Sequence, residues 1–116
     1  MTKYGNKKIT VDGKTFDSQR EYQRYAELCL LQRGGLITDL QWQVPFLLIP
    51  TQRIDGKVVE REVKYIADFT YKDVKTGKLV VEDVKGYRDP QSAGYAKFVL
   101  KRKLMLFMNG IQIREV

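Results

Sequence analysis

The apolar positions change period several times along the chain, and each change marks an element. Between Ser18 and Arg33, residues Tyr22, Tyr25, Ala26, Cys29 and Leu30 recur at three- and four-residue steps, which predicts a helix with one buried face. Ser18 and Glu21 have the S-x-x-E spacing of a capping box, and Gly34-Gly35 supplies the stop. Trp42 to Ile49 is rich in aromatic and branched residues and predicts a strand. Pro45 has no N–H to give a ladder, which puts that strand at a sheet edge. After an Asp55-Gly56 turn, Val58 to Tyr71 predicts one long strand. Val63, Tyr65, Ala67, Phe69 and Tyr71 share one face, and Lys64, Ile66, Asp68 and Thr70 the other. A turn at Thr76-Gly77 leads to a strand from Leu79 to Lys85. There Val81, Asp83 and Lys85 face one way, and Val80, Glu82 and Val84 the other.

Asp89-Pro90 reads as a cap followed by Pro at the first helical position, with the helix running to Met108. Tyr95, Val99, Arg102 and Leu106 form its stripe, flanked by Phe98 and Met105, and Asn109-Gly110 ends it. Ile111 to Val116 predicts a short last strand. The expected fold is α/β (α+β): a mixed central sheet of about four strands flanked by helices, in the order αβββαβ. One domain spans residues 1–116, the size of a single core, with residues 1–14 as a basic N-terminal arm carrying a short hairpin at Val11-Asp12-Gly13-Lys14.

Charge narrows the partners. The 116 residues hold 21 Lys and Arg against 14 Asp and Glu, a formal net charge of +7. Such a field favours polyanions, either nucleic acid or an acidic membrane face, without choosing between them. No apolar run reaches membrane-spanning length, none of signal-peptide type occurs in the first thirty residues, and the lone cysteine allows no intrachain disulfide. A cytoplasmic protein with no membrane partner is the expectation. The chain has no histidine, which excludes histidine-based triads and histidine zinc sites. Cys29 lies among leucines and reads as a small core residue. Carboxylates, lysines and tyrosines remain for chemistry.

Asp68 and Asp83 stand in the apolar runs of neighbouring strands, and Lys85 follows Asp83 by two positions. Charges in such company are costly unless they are paired or bind a metal. A turn of two or four residues at Thr76-Gly77 sets Asp68 opposite Lys85 or Asp83, with all three side chains on one face. A three-residue turn sets Asp68 opposite Val84, on the wrong face. Two close carboxylates can hold a hard cation such as Mg²⁺, and a neighbouring lysine can orient water or offset charge on a phosphate. A cross-strand salt bridge of Asp68 or Asp83 with Lys85 is the competing reading.

Asp68 followed by Asp83-Val84-Lys85 on the next strand resembles the PD-(D/E)xK nuclease superfamily, which includes restriction enzymes and Holliday-junction resolvases. The helix, three-stranded hairpin sheet, helix and strand of its restriction-endonuclease-like core match the order above. Ala67 stands where the superfamily motif has proline. Tyr4-Gly5-Asn6-Lys7-Lys8, Phe16-Asp17-Ser18-x-x-Glu21, Gln43-Val44-Pro45-Phe46, Tyr65-x-x-Asp68-Phe69 and Glu82-Asp83-Val84-Lys85-Gly86 further resemble a family of small uncharacterised phage and prophage proteins.

The resemblance implies a metal-dependent endodeoxyribonuclease that uses Mg²⁺, with Mn²⁺ as a substitute. Asp68, Asp83 and the Val84 carbonyl would be metal ligands and Lys85 the catalytic lysine. Glu21 would be either a further ligand or the partner of Ser18 in the capping box. Glu82 points to the other face and reads as structural. Gln43 is either a contact from the neighbouring strand or an exposed edge residue. Lys7, Lys8, Tyr87, Arg88, Lys97 and Lys101 are the candidate DNA contacts. The implied setting is phage DNA recombination, replication or packaging in the host cytoplasm, on branched DNA, with a homodimer to make paired cuts. A non-catalytic DNA-binding module, or a phage structural protein that retains the fold, is the alternative.

Overall fold

The computed structural model describes residues 8–85 and 91–116. Ile9–Val11 (β1) and Lys14–Phe16 (β2) form a hairpin, turned at Asp12 and Gly13, whose φ angles are 52° and 78°. Paired left-handed residues are what a two-residue hairpin turn requires. The helix α1 spans Gln19–Arg33, with Ser18 as its N-cap. The left-handed residue at its end is Gly35, at φ 79°, while Gly34 stays right-handed.

Four strands make the central sheet: β3 (Ile37–Ile49), β6 (Val63–Asp73), β7 (Leu79–Asp83) and β8 (Arg114–Glu115), in that spatial order. The first three are antiparallel and β8 runs parallel to β7, so the sheet is mixed. The parallel step is made through α2 (Ala93–Asn109). The architecture is a mixed α+β fold, consistent with a restriction-endonuclease-like core, and β3 is an edge strand, as Pro45 requires. No helix among the described residues is long and apolar enough to cross a membrane.

Several boundaries differ from the sequence reading. The strand expected at Val58 is two elements: β5 (Lys57–Glu60) pairs with β4 (Gln52–Ile54) in a separate exposed hairpin, and β6 begins afresh at Val63. Charge at Glu60, Arg61 and Glu62 interrupts the apolar run there. The strand β3 starts at Ile37, ahead of its aromatic segment. The expected helix start at Asp89-Pro90 lies outside the described residues; α2 begins at Ala93 and is capped by Ser92, whose Oγ accepts from Tyr95 N at 3.1 Å. Its left-handed Gly110 cap is where glycine was expected.

The buried stripes are also rotated from those expected. In α1, Glu21 and Leu28 are buried while Ala26 and Leu30 are exposed. In α2, Phe98 and Met105 are buried and Leu106 is exposed. Cys29 is only half-buried.

Two apolar clusters lie on opposite faces of the sheet. On the α1 side are Phe16, Leu28, Ile37, Phe69, Tyr71 and Val84. On the α2 side are Leu48, Tyr65, Ala67, Val81, Phe98, Met105 and Ile113. The expected single face of β6 is therefore broken: Tyr65 and Ala67 belong to one side, Phe69 and Tyr71 to the other. The switch falls at Asp68. Across the ladder, between the pairs Trp42–Phe69 and Val44–Ala67, stands Gln43 with a left-handed φ of 53°. Such a residue breaks the pleat and puts the alternation out of phase on either side. One irregular point of the sheet is thus the point that carries the acidic residue; the ladder also shifts register between Thr38 and Gln41 and between Leu47 and Ile49.

Met105 is fully buried at the centre of the α2-side cluster. Met105→Ala is expected to lower the free energy of unfolding by about 2–5 kcal/mol, read as a lower urea midpoint at unchanged slope.

Candidate active site

The turn between β6 and β7 decides the register. Asp73 N donates to Lys78 O at 3.0 Å, closing a four-residue connection, and Phe69 pairs with Glu82. One step further, Asp68 stands opposite Asp83. The ladder does not continue there. Asp68 Oδ2 instead accepts the Val84 N–H at 2.7 Å, so a side chain takes the place of a main-chain carbonyl where the strands part. The last strand holds the other edge: Val116 N donates to Asp83 O at 3.0 Å, and Lys85 N to Val116 O at 2.7 Å.

Around this parting the carboxylates gather. Asp83 is buried; its Oδ1 accepts from the Tyr65 hydroxyl at 2.9 Å and its Oδ2 from Lys85 Nζ at 2.9 Å. Lys85 Nζ also lies 3.2 Å from Glu115 Oε1 and 3.0 Å from the centroid of the Phe98 ring. The salt bridge that competed with the catalytic reading is therefore present, between Asp83 and Lys85.

Glu21 resolves differently from a complete capping box. Ser18 Oγ accepts from Glu21 N at 3.1 Å, the first half of the motif. The Glu21 carboxyl is only 4% exposed, and its Oε1 has no hydrogen-bond partner. Burial raises its pKa above the ordinary value and the Asp17 charge adds to this; the Trp42 indole and the Asp17 backbone work against it, and the Asp83 charge raises it again. Asp68 moves further, to about 7. Burial is the main cause, offset in part by the Val84 N–H, and the charges of Asp83, Glu21 and Asp17 raise it again.

The charges of Asp83 and Asp17 thus stand near enough to oppose the ionisation of Asp68 and Glu21. Carboxylates in that relation fit a hard divalent cation in kind, since a cation removes the repulsion and supplies the orphaned Glu21 oxygen with a partner. As they stand, among the described residues no three acidic or cysteine side chains are gathered closely enough to hold one ion.

Of the remaining expected residues, Lys8 and Lys97 are exposed and Lys101 is half-buried. Lys7, Tyr87 and Arg88 lie outside the described residues. Glu82 does face away from Asp83, and it is the most completely buried charge of the sheet at 0% exposure. Its oxygens accept from Arg24 Nε at 2.8 Å and Arg24 Nη2 at 2.7 Å, and also from the Tyr71 hydroxyl. Burial and the bond to Glu82 push the Tyr71 hydroxyl up to about 12.

Sequence reasoning passed over Arg24 and Asp17. Arg24 sits one turn after Glu21, among exposed-looking Gln23 and Glu27, and nothing local marks its partner 58 residues away. Asp17 had a legible signal, adjacency to the Ser18 cap. Such a residue lies beside the helix start and so beside Glu21.

Residues 1–111 match the family described as Protein of unknown function (DUF1064). The chain belongs to that family. No curated protein and no solved structure matches it. Within this DUF1064 chain, Asp68 and Glu21 at the strand parting both have raised carboxyl pKa values.

The raised Asp68 pKa has a definite sign for stability. Its ordinary value lies near 3.8 and its folded value near 7, so the folded state holds the extra proton between the two. The stability it lends is complete below about pH 4 and is lost as the pH rises through 7. Asp68→Asn keeps an acceptor for the Val84 N–H and cannot ionise. Without divalent cations, its melting temperature is expected to exceed the wild type's by on the order of 5 °C at pH 8, and to match it near pH 4. Scanning calorimetry at the two pH values checks this.

Proposed function

We propose that this protein is a divalent-metal-dependent endodeoxyribonuclease of the PD-(D/E)xK type. The observation that carries the reading is the meeting of Asp68 and Asp83 where β6 and β7 part, with the buried, unpartnered Glu21 oxygen in the same electrostatic neighbourhood and Lys85 two residues beyond. The order α1, β3, β6, β7, α2, β8 of the helices and central-sheet strands, and the mixed sheet they form, support it.

Asp68, Asp83 and Glu21, with the Val84 carbonyl, would hold Mg²⁺ or Mn²⁺. When bound, the ion supplies Lewis acidity at the scissile phosphate. The residues of the chain do the rest. The Tyr65 hydroxyl fixes one Asp83 oxygen, and the Val84 N–H fixes one Asp68 oxygen, so each carboxylate has a defined direction. Lys85 rests on Phe98 and is shared between Asp83 and Glu115, which holds its ammonium at the rim of the carboxylates. From there it can orient the attacking water or offset charge on the phosphate. Water adds to phosphorus, the 3′ oxygen leaves and takes a proton, and the products are a 5′-phosphate and a 3′-hydroxyl.

The net charge of +7 suits DNA as the polyanion. Lys8, Lys97 and Lys101 are its candidate contacts among the described residues, with Lys7, Tyr87 and Arg88 beyond them. A domain this small has little surface for reading a long sequence, which favours branched DNA or junctions over a defined site. The resemblance to phage proteins gives the setting: DNA recombination, replication or packaging in a bacterial cytoplasm, with a homodimer making paired cuts.

One observation favours a second reading. Both Asp83 oxygens are engaged, by Tyr65 and Lys85. A DNA-binding module, or a phage structural protein that kept the fold without its chemistry, would keep such a pair closed.

Incubation with supercoiled plasmid and with synthetic four-way junctions, in Mg²⁺, in Mn²⁺ and in chelator, separates the two. The nuclease reading expects cleavage that needs metal, falls about 10²-fold or more in Lys85→Ala and vanishes in Asp83→Ala. Salt-sensitive binding with no cleavage under any metal supports the second reading.

A further inference from the structure

The Arg24–Glu82 pair ties the helix that carries Glu21 to the strand that carries Asp83. Arg24 follows Glu21 by three residues on α1, and Glu82 immediately precedes Asp83 on β7. The guanidinium meets the carboxylate with two nitrogens, at 2.8 and 2.7 Å, while its third nitrogen reaches Glu27 Oε2 at 3.0 Å. The Tyr71 hydroxyl from β6 closes on the same carboxylate. Three elements therefore converge on one buried group.

A buried ion pair is a poor device for stability alone, because apolar residues of similar size often serve as well. A planar fork on a planar carboxylate does something apolar packing does not: it fixes both the angle and the position of the helix. One turn from this anchor, Glu21 projects into a buried position where its Oε1 finds no protein partner. A slide of α1 along the sheet would carry Glu21 away from Asp68 and Asp83, and its Oε1 makes no hydrogen bond that would resist that slide.

We infer that Arg24, through its two-pronged grip on Glu82, is a positioning residue that sets where the Glu21 carboxylate stands relative to Asp68 and Asp83. The inference rests on the metal-site reading for its purpose, but its geometry is testable without metal. Trp42 is the chain's single tryptophan, and its indole lies beside Glu21. Its emission reports the first turn of α1 from within.

The test uses the full chain in three forms: wild type, Arg24→Lys, and Arg24→Met combined with Glu82→Leu. The lysine keeps the charge and loses the fork. The double substitution removes both charges, so neither is left buried and unpaired, and it serves should the lysine variant fail to fold. In metal-free buffer, Trp42 emission and amide exchange by mass spectrometry are followed, and Mn²⁺ is then titrated calorimetrically. Either folded variant is expected to shift Trp42 emission and to exchange its first α1 turn roughly ten-fold faster, with α2 unchanged. Mn²⁺ affinity is expected to fall by about 10- to 100-fold.

Unchanged emission and exchange in a folded variant would overturn the inference, whatever happens to Mn²⁺. Faster exchange spread evenly over α1 and α2 would also overturn it, by showing a general stabilising role. A wild type that binds no Mn²⁺ while its variants still loosen the first turn would leave the positioning role standing and remove the metal reading instead.

Discussion

Carboxylates that must share a small, partly dry volume repel one another, and the sheet is arranged around that repulsion. Asp68 and Asp83 face each other where two antiparallel strands stop pairing, and Glu21 enters from the helix above. Continued pairing would bring the two strands' acidic side chains directly opposite, an arrangement that sheets avoid. The strands part instead, and the freed Val84 N–H turns to the Asp68 carboxylate. The left-handed Gln43 opposite Asp68 breaks the pleat at the same place, so the core changes sides and a polar residue is tolerated between two apolar clusters.

The two faces of β7 divide the work of holding this arrangement. On one side Glu82 anchors α1 through Arg24 and β6 through Tyr71. On the other, Asp83 meets Tyr65 and Lys85, and Lys85 reaches Glu115 on the last strand. Glu115 is in turn 3.4 Å from Arg102 of α2. Neighbouring residues of one short strand therefore connect to both helices. The acidic centre inherits its shape from those attachments, because no regular ladder fixes it from within.

Much of this was legible from residue order alone. The turn at Thr76-Gly77 and the edge position of β3 were legible, because a glycine turn and a missing N–H are local constraints, but the choice among turn lengths, and with it the register, came only from the four-residue connection between Asp73 and Lys78. The opposite orientation of Glu82 and Asp83 followed from simple alternation. What alternation missed is where it fails: Phe69 and Tyr71 lie on the other side from Tyr65 and Ala67, owing to a left-handed residue on a different strand. Gln43 has no glycine-like signature to announce that. The Arg24–Glu82 pair was likewise hidden, since it joins a helix to a strand that only the finished fold brings together. Nor did residue order show that Glu21, besides receiving half of the capping box from Ser18, has a buried carboxyl with one unpartnered oxygen.

The central claim is that this acidic centre exists to receive a divalent cation. A crystal structure of the full chain soaked in Mn²⁺, with anomalous scattering used to locate the metal, tests it most directly. A Mn²⁺ peak between Asp68 and Asp83 is expected, with Lys85 released from Asp83 and kept by Glu115. Strong diffraction with no peak there, and Lys85 still closed on Asp83, would contradict it.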